Sequence, residues 1–238
     1  MWLYRIYQIF IMLPLMLVAT VVTALITIVA SVLGAGRWGG YYPPVVWSRL
    51  MCWLAWVRVS VEGRENIDPR TSYVFVANHQ GAYDIFTIYG WLHHQFRWMM
   101  KKELRRIPLV GYACEVSGQI YVDNSSPVRL RRTMERAEAQ LSSGMSVVVF
   151  PEGARTWDGS VRRFKRGAYT LAMEFSLPVV PLTIDGAFHV LPRFRRFPRP
   201  GHIRLTIHKP ILPPAEGHNL AELIDASRAA VVAPLGHE

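Results

Sequence analysis

The residues in this chain best suited to proton chemistry are His79 and Asp84, five positions apart with Gly81 between them. An imidazole titrates near neutral pH, so it can accept a proton from a hydroxyl. A carboxylate bonded to its other ring nitrogen fixes the tautomer and stabilises the imidazolium once formed. Side chains five positions apart do not share a face of a continuous helix. They meet only across a turn, and Gly81 permits one. Taken singly, each residue also has a plainer reading, with Asp84 capping a helix and His79 a satisfied polar group at a strand end. A second polar turn follows about 70 residues downstream, where Val147-Val148-Val149-Phe150 runs into Pro151-Glu152-Gly153-Ala154-Arg155. Pro151 and Gly153 break the strand and offer Glu152 and Arg155 at its mouth. A guanidinium fork suits a phosphate, although this turn alone reads more simply as a surface Glu–Arg pair.

The elements that must position these groups follow from periodicity. Residues 74–77 are an apolar, β-prone run ending at Asn78, and residues 85–92 resume an apolar pattern at helical spacing. This is a buried strand, a tight turn and a helix start, with His79 at the strand's C-terminal end and Asp84 in the helix's first turn. Further strands are expected at 57–61, 96–100, 179–184 and 203–207, and helices at 169–175 and 219–232. Ser126-Pro127 is a helix entry, with serine as cap and proline at the first position. That helix presents Leu130, Met134, Ala137 and Leu141 to the core, sets Arg131 against Glu135 on the wet side, and ends at Gly144. His93 and His94 fall at the end of the helix after Asp84, with no catalytic role expected. The alternation of strands and helices gives an α/β domain with a mixed, largely parallel sheet flanked by helices. In such sheets ligand crevices open at strand C-termini.

Taken together, the two turns are more specific than either alone. The pattern NHxxxxD followed by FPEGxR resembles the glycerolipid acyltransferase family, in particular the bacterial 1-acylglycerol-3-phosphate acyltransferases. Lys101-Lys102-Glu103-Leu104, Pro108, Gly111 and the segment from Gly118 to Asp123 resemble the family's second block, and Val180-Pro181-Leu182-Thr183-Ile184 its fourth. The match runs from about Tyr73 to Ile184 in the family's order. Two positions depart from it: Asn124 stands where an arginine is common, and Ala154 where a threonine is. The resemblance implies the glycerolipid acyltransferase fold. It also implies transfer of a fatty acyl group from acyl-CoA or acyl-carrier protein to the sn-2 hydroxyl of lysophosphatidate, giving phosphatidic acid. His79 and Asp84 are then the catalytic pair. Glu152, Gly153, Arg155, Lys101 and Arg166 bind the acceptor. The segment Phe164-Lys165-Arg166-Gly167 matches a basic turn that follows the third block in this family. A thioester is already activated and no serine or cysteine stands beside His79, so no covalent acyl-enzyme is expected, and no metal or cofactor.

Composition is consistent with an anionic lipid partner. The chain has 238 residues, a net charge of +10 and 51% hydrophobic residues, with a mean hydropathy of +0.15. Positive charge alone would fit nucleic acid as well as anionic headgroups. The apolar excess at the N-terminus favours lipid and makes nucleic-acid binding improbable. Residues 9–33 carry no charge, and as a helix at ~1.5 Å per residue they reach ~37 Å, enough to cross a bilayer core. Pro14 can kink this helix near its start. Residues 45–57 form a second apolar run, too short to span, in which Val46, Leu50, Trp53, Leu54 and Val57 share a helical face. That face suits either a membrane interface or the domain core. Residues 1–58 are therefore expected to form a membrane-anchoring two-helix segment, and 59–238 the α/β acyltransferase domain. The first helix either spans the bilayer or dips with the second into one leaflet. The expected location is the bacterial inner (cytoplasmic) membrane, with the catalytic domain on the cytoplasmic face. Two cysteines, Cys52 and Cys114, match no metal spacing and are expected as reduced thiols. Arg193-Phe194-Arg195-Arg196-Phe197 interleaves bases and aromatics and suits a membrane-facing loop. Other readings are an acyltransferase for another lyso-lipid, such as lyso-ornithine lipid, and a non-catalytic basic membrane-surface protein; the intact His79 and Asp84 argue against the second.

Overall fold

The computed structural model describes residues 2–123, 125–213 and 220–236. Asn124 and Asn219, both singled out in the sequence, lie outside them. In chain order the elements are α1 (Trp2–Tyr7), a π-helical turn (Gln8–Met12), α2 (Leu13–Val32), α3 (Gly36–Gly39), α4 (Tyr42–Leu54), β1 (Val57–Glu62), β2 (Val74–Ala77), α5 (Tyr83–Trp91) and β3 (Phe96–Lys101). They continue with α6 (Val110–Val116), β4 (Ile120–Val122), α7 (Pro127–Ser142), β5 (Ser146–Val149), α8 (Gly167–Glu174), β6 (Val179–Asp185), α9 (Ala187–Val190), β7 (Gly201–Ile207) and α10 (Leu220–Val232). The strands form one sheet in the order β1-β7-β6-β2-β5-β3-β4. Every pairing is parallel except β6 with β7. β1 and β7 therefore run opposite to the other five strands, as the expected mixed sheet allows.

The central strands are apolar on both faces because helices cover both. Val74, Phe75, Val76 and Ala77 of β2 are all fully buried. Phe75 and Ala77 face a core built with α4 and α5, and Val74 and Val76 face one built with α7, α8 and α10. Each of the valines and Phe75 contributes roughly 1.5–3 kcal/mol by leaving water, which holds β2 rigid up to the turn that follows it.

Ser126 caps α7 as its sequence position implies, its hydroxyl accepting from the Arg129 amide. Arg131 and Glu135 pair on the outside at 3.2 Å. The inward face of α7 holds Met134, Ala137 and Leu141 as expected, but not Leu130. Thr133, Ala137 and Leu141 are buried, while Leu130 is exposed. The Thr133 hydroxyl donates to the Tyr121 carbonyl of β4, so this hydroxyl takes the inward place that apolar periodicity assigned to Leu130.

At the N-terminus α1, the π turn and α2 form a continuous 31-residue helix, long and apolar enough to cross a membrane. The π turn directly precedes Pro14, whose missing N–H and ring disturb the regular ladder there. This helix is tied at intervals to α3, α4 and the loop before β7. Tyr7 Oη donates to the Leu54 carbonyl, Gln8 Nε2 to that of Pro198, and Thr27 Oγ1 to that of Gly39. Met12 is buried in the same core as Phe75. The opposite side of the helix, with Phe10, Leu17, Val18, Val22, Val29 and Leu33, is exposed, and this uncovered apolar face marks the chain as membrane-associated. The five residues of α4 and its end that share a helical face do not share an environment. Val46 and Trp53 point outward, whereas Leu54 and Val57 are buried. The helix is both a core helix, through Met51, Cys52 and Leu54, and an interfacial one. Between α2 and α4 runs an apolar groove of about 540 Å³ lined by Val18, Val22, Ile26, Val46, Leu50 and Trp53. Both cysteines are free thiols.

Candidate active site

The parallel register of β2, β5 and β3 decides which side chains meet at the sheet's rim. Val76 is level with Val149, and Val149 with Met99. Three positions beyond each lie His79, Glu152 and Lys102, so three polar groups reach one edge at a common height. Lys101, the last residue of β3, is at the same edge.

Side-chain bonds that mimic sheet pairing fix the end of β2. Asn78 is fully buried; its Nδ2 donates to the Ile184 carbonyl and its Oδ1 accepts from the Ile184 amide, both at 2.8 Å. On the other side, the backbone N–H of His79 donates to Glu152 Oε1 at 2.7 Å, and the Thr156 amide donates to the His79 carbonyl at 2.9 Å. The end of β2 is thus held on the β6 side through Asn78 and on the β5 side through the His79 backbone. The turn then folds back tightly. A Cβ on Gly81 would stand 2.7 Å from the Ala187 carbonyl oxygen and 2.8 Å from that of Leu191. Only glycine fits there, and the reason is close approach of backbone.

The turn brings the pair together. His79 Nδ1 lies 2.7 Å from Asp84 Oδ2, and the same oxygen accepts from the Gly81 amide at 2.9 Å. Asp84 is fully buried and the His79 side chain is 15% exposed. The imidazole ring stacks on Phe150, with centroids 3.9 Å apart and planes 7° from parallel, and Phe150 in turn stacks on Trp98. With Nδ1 given to the carboxylate and the ring face to Phe150, Nε2 is the nitrogen left for chemistry. It has no partner among the described residues. Such an arrangement can take a proton at Nε2 while Asp84 balances the charge.

The remaining site residues divide. Glu152 is buried, and both its oxygens go to backbone, Oε1 to His79 N–H and Oε2 to Arg162 N–H at 2.8 Å. It braces the turn rather than facing open space. Gly153 adopts a left-handed φ of 76°, and a Cβ there would fall 2.6 Å from Lys165 Nζ. The Lys165 amide also donates to the Pro151 carbonyl. Lys165 is therefore the cation of the basic turn that reaches this loop, one position from Arg166, which is exposed at the cap of α8. Arg155 is half-buried, and neither it nor the exposed Lys101 has an ion-pair or hydrogen-bond partner among the described residues. Lys102 pairs with Asp123 at 2.8 Å, and this bond together with those from Ser125 holds the Asp123 carboxyl below its ordinary value. Phe150 was not singled out by sequence reasoning, and Lys165 only as part of the basic turn from which Arg166 was chosen. The signal for Phe150 was its place directly before the Pro-Glu-Gly turn, level with the residues that lead to His79. No cluster of metal-ligand type occurs among the described residues.

Burial raises the Glu152 carboxyl above its ordinary value, against the hydrogen bonds from Arg162 and His79. A folded-state value above the unfolded one means that the native state keeps a proton the unfolded chain has lost. The contribution is then complete below the ordinary carboxylate range and is lost as pH rises through the raised value. In urea unfolding between pH 4 and 7, wild type should lose stability relative to Glu152→Gln as pH rises. A parallel pH dependence in the two proteins would refute the assignment.

A His–Asp pair at the C-terminal rim of a largely parallel sheet is an arrangement able to take a proton from a hydroxyl. The family model described as Acyltransferase matches residues 58–185, and the chain belongs to that family. It is 31% identical over 191 residues to a 1-acyl-sn-glycerol-3-phosphate acyltransferase of Pseudomonas aeruginosa, covering 78% of this chain and 73% of that one. Enzymes of the same name from Chlamydomonas reinhardtii and the Arabidopsis thaliana chloroplast are 32% and 34% identical over 76% and 65% of this chain. The chain spans about half the length of these two, 54% and 44%. The crystal structure of the 1-acyl-sn-glycerophosphate acyltransferase PlsC from Thermotoga maritima superposes with a TM-score of 0.72 at 30% identity, covering 82% of this chain and 79% of that one.

Proposed function

We propose that this protein transfers a fatty acyl group from a thioester, acyl-CoA or acyl-carrier protein, to the sn-2 hydroxyl of 1-acylglycerol-3-phosphate, giving phosphatidic acid. The observation that carries the proposal is the 2.7 Å contact of His79 Nδ1 with Asp84, which leaves Nε2 free. The relatives' shared name supplies the substrate class. In the reaction, Nε2 takes the proton from the acceptor hydroxyl as its oxygen attacks the thioester carbonyl. The tetrahedral adduct collapses by breaking the C–S bond, and the imidazolium returns the proton to the departing thiolate. Asp84 holds the ring and offsets its charge. Glu152 positions His79 through the backbone. Arg155 and Lys101, both without a partner, receive the acceptor phosphate, with Arg166 and Lys165 adding positive charge at the Gly153 turn.

Residues 1–58 serve as the membrane anchor and 59–238 as the catalytic domain. A helix bonded to the domain at Gln8 and buried in its core at Met12 would drag polar surface into the bilayer if it spanned. Insertion of its exposed face, with that of α4, into one leaflet satisfies both surfaces. The catalytic face is then that of the leaflet carrying the substrates, the cytoplasmic one in a bacterial inner membrane. The test is thiol release from acyl-CoA and from acyl-carrier protein across a panel of lyso-lipids. Lysophosphatidate should be the preferred acceptor. Equal turnover of lyso-ornithine lipid, or acceptor-independent release, would overturn the reading.

A further inference from the structure

At the edge of the sheet opposite His79, two arginines converge on a histidine. β3 begins three residues after His93, and β1 ends two residues before Arg64. The parallel and antiparallel pairings place both points on the rim away from the reaction site. Arg49 of α4 donates through Nε to the Gly90 carbonyl at 2.8 Å and reaches His93 Nε2 with NH2 at 2.7 Å. Arg64 donates through NH2 to the Trp91 carbonyl at 3.0 Å and meets His93 Nδ1 with NH1. The two guanidinium groups thus occupy the C-terminal carbonyls of α5, where cations are favoured, and grip the imidazole from both sides.

This arrangement is incomplete as protein alone. A neutral imidazole has one N–H and one acceptor nitrogen, so it cannot accept from two guanidinium groups at once. An imidazolium can accept from neither. Neither Arg49 nor Arg64 has a carboxylate within ion-pair distance among the described residues. His93 is held here in a left-handed conformation with φ 56°, which a non-glycine side chain adopts at a cost. Partial burial, and then the charges of Arg64 and Arg49, keep its imidazole below the ordinary value. An oxyanion drawn in against the three groups would resolve the conflict. It accepts from both arginines and from a protonated His93, and two guanidinium forks suit a tetrahedral phosphate.

The position of the cluster says where the phosphate comes from. Arg49 lies on α4 beside Val46 and Trp53, which are 68% and 71% exposed, and at ~100° per residue it flanks their face. With that face in acyl chains, a long cationic side chain on its flank reaches headgroup depth. The Arg49 guanidinium also lies 5.9 Å from the Trp91 ring, an aromatic suited to the same interface. We propose that Arg49, Arg64 and His93 form a binding site for the phosphate of an anionic membrane phospholipid, separate from the acceptor site. It fixes the depth and tilt of the domain from the rim opposite the chemistry. The proposal rests on the one-leaflet insertion described above, not on the identity of the acyl acceptor.

The experiment uses the full chain in dodecyl maltoside micelles, titrated with dioctanoyl phosphatidylglycerol, dioctanoyl phosphatidylcholine or inorganic phosphate. Wild type should bind the phosphatidylglycerol, and Arg49→Gln/Arg64→Gln should weaken binding at least tenfold. The double substitution also removes bonds to the end of α5, so His93→Asn is the second variant. Asparagine tolerates the left-handed backbone, and this variant should weaken binding severalfold with an unchanged melting temperature. Acyl transfer in micelles should persist in both variants, which separates this site from the catalytic one. Unchanged phosphatidylglycerol affinity in both variants would overturn the site. Inorganic phosphate binding as tightly as the lipid would overturn the lipid as its source. Equal affinity for phosphatidylcholine would overturn the requirement for an anionic lipid.

Discussion

His79→Ala should lower kcat for acyl transfer by roughly 10²–10⁴-fold, the range typical for loss of a general base, with KM for lysophosphatidate little changed. The reason for a kcat effect is that Nε2 acts on the hydroxyl proton in the transition state, whereas the cations assigned to the phosphate stay in place. The fold should survive. The bonds that hold residue 79 run through its backbone, to Glu152 and from Thr156, and alanine keeps them. Asp84 Oδ2 retains the Gly81 amide. What is lost besides the base is the ring's contact with Phe150, a partly exposed surface worth about 1 kcal/mol by the usual scale of aromatic pairs. The measurement is steady-state thiol release with lysophosphatidate varied, on protein whose melting temperature is checked. A purified variant retaining near-normal kcat would remove His79 from the mechanism.

The pair itself was legible because both halves rest on local rules. A run of β-branched and aromatic residues ending in Asn78 makes a strand, Gly81 makes a turn, and Asp84 suits the first turn of a helix. The structure confirms each element within a residue or two. The strands at Val57, Phe96, Val179 and Gly201 were legible for the same reason. What was not legible depends on contacts distant in sequence. Asn78 completes the edge of β2 by pairing with Ile184, 106 positions away. Glu152 looked like a group for substrate, yet it lies 73 positions from the amide it braces, and no periodicity reports that its second oxygen meets Arg162. The α7 face held at Met134, Ala137 and Leu141 and failed only at Leu130, the inward place going to Thr133 with its bond to Tyr121. The face of α4 failed because that helix is apolar on two sides for two different solvents, the core and the bilayer. Hydropathy cannot tell these apart; burial can.

Asp84→Asn should abolish most activity while leaving the protein folded, a loss again of roughly 10²–10⁴-fold. Asparagine is nearly the same shape as aspartate, so the fully buried site is neither emptied nor overpacked. What changes is the direction of one hydrogen bond. The Asp84 oxygen that now faces His79 Nδ1 also accepts from the Gly81 amide. If the asparagine NH₂ takes the place of that oxygen, it is turned toward both Nδ1 and the Gly81 N–H. An NH₂ donates, so Nδ1 becomes the acceptor and the ring proton moves to Nε2, where it blocks the nitrogen that must receive the substrate's proton. If instead the carbonyl faces Nδ1, the tautomer is kept but the charge that balances the imidazolium is gone. Both arrangements slow the proton transfer, and both leave acceptor binding intact, because the cations at the Gly153 turn and Lys101 are untouched. The two can be separated by the ring nitrogens' ¹⁵N shifts in the variant, since these report which nitrogen carries the proton. Activity within a few-fold of wild type would mean that the carboxylate serves the turn alone, and the buried His79–Asp84 contact would then be structural.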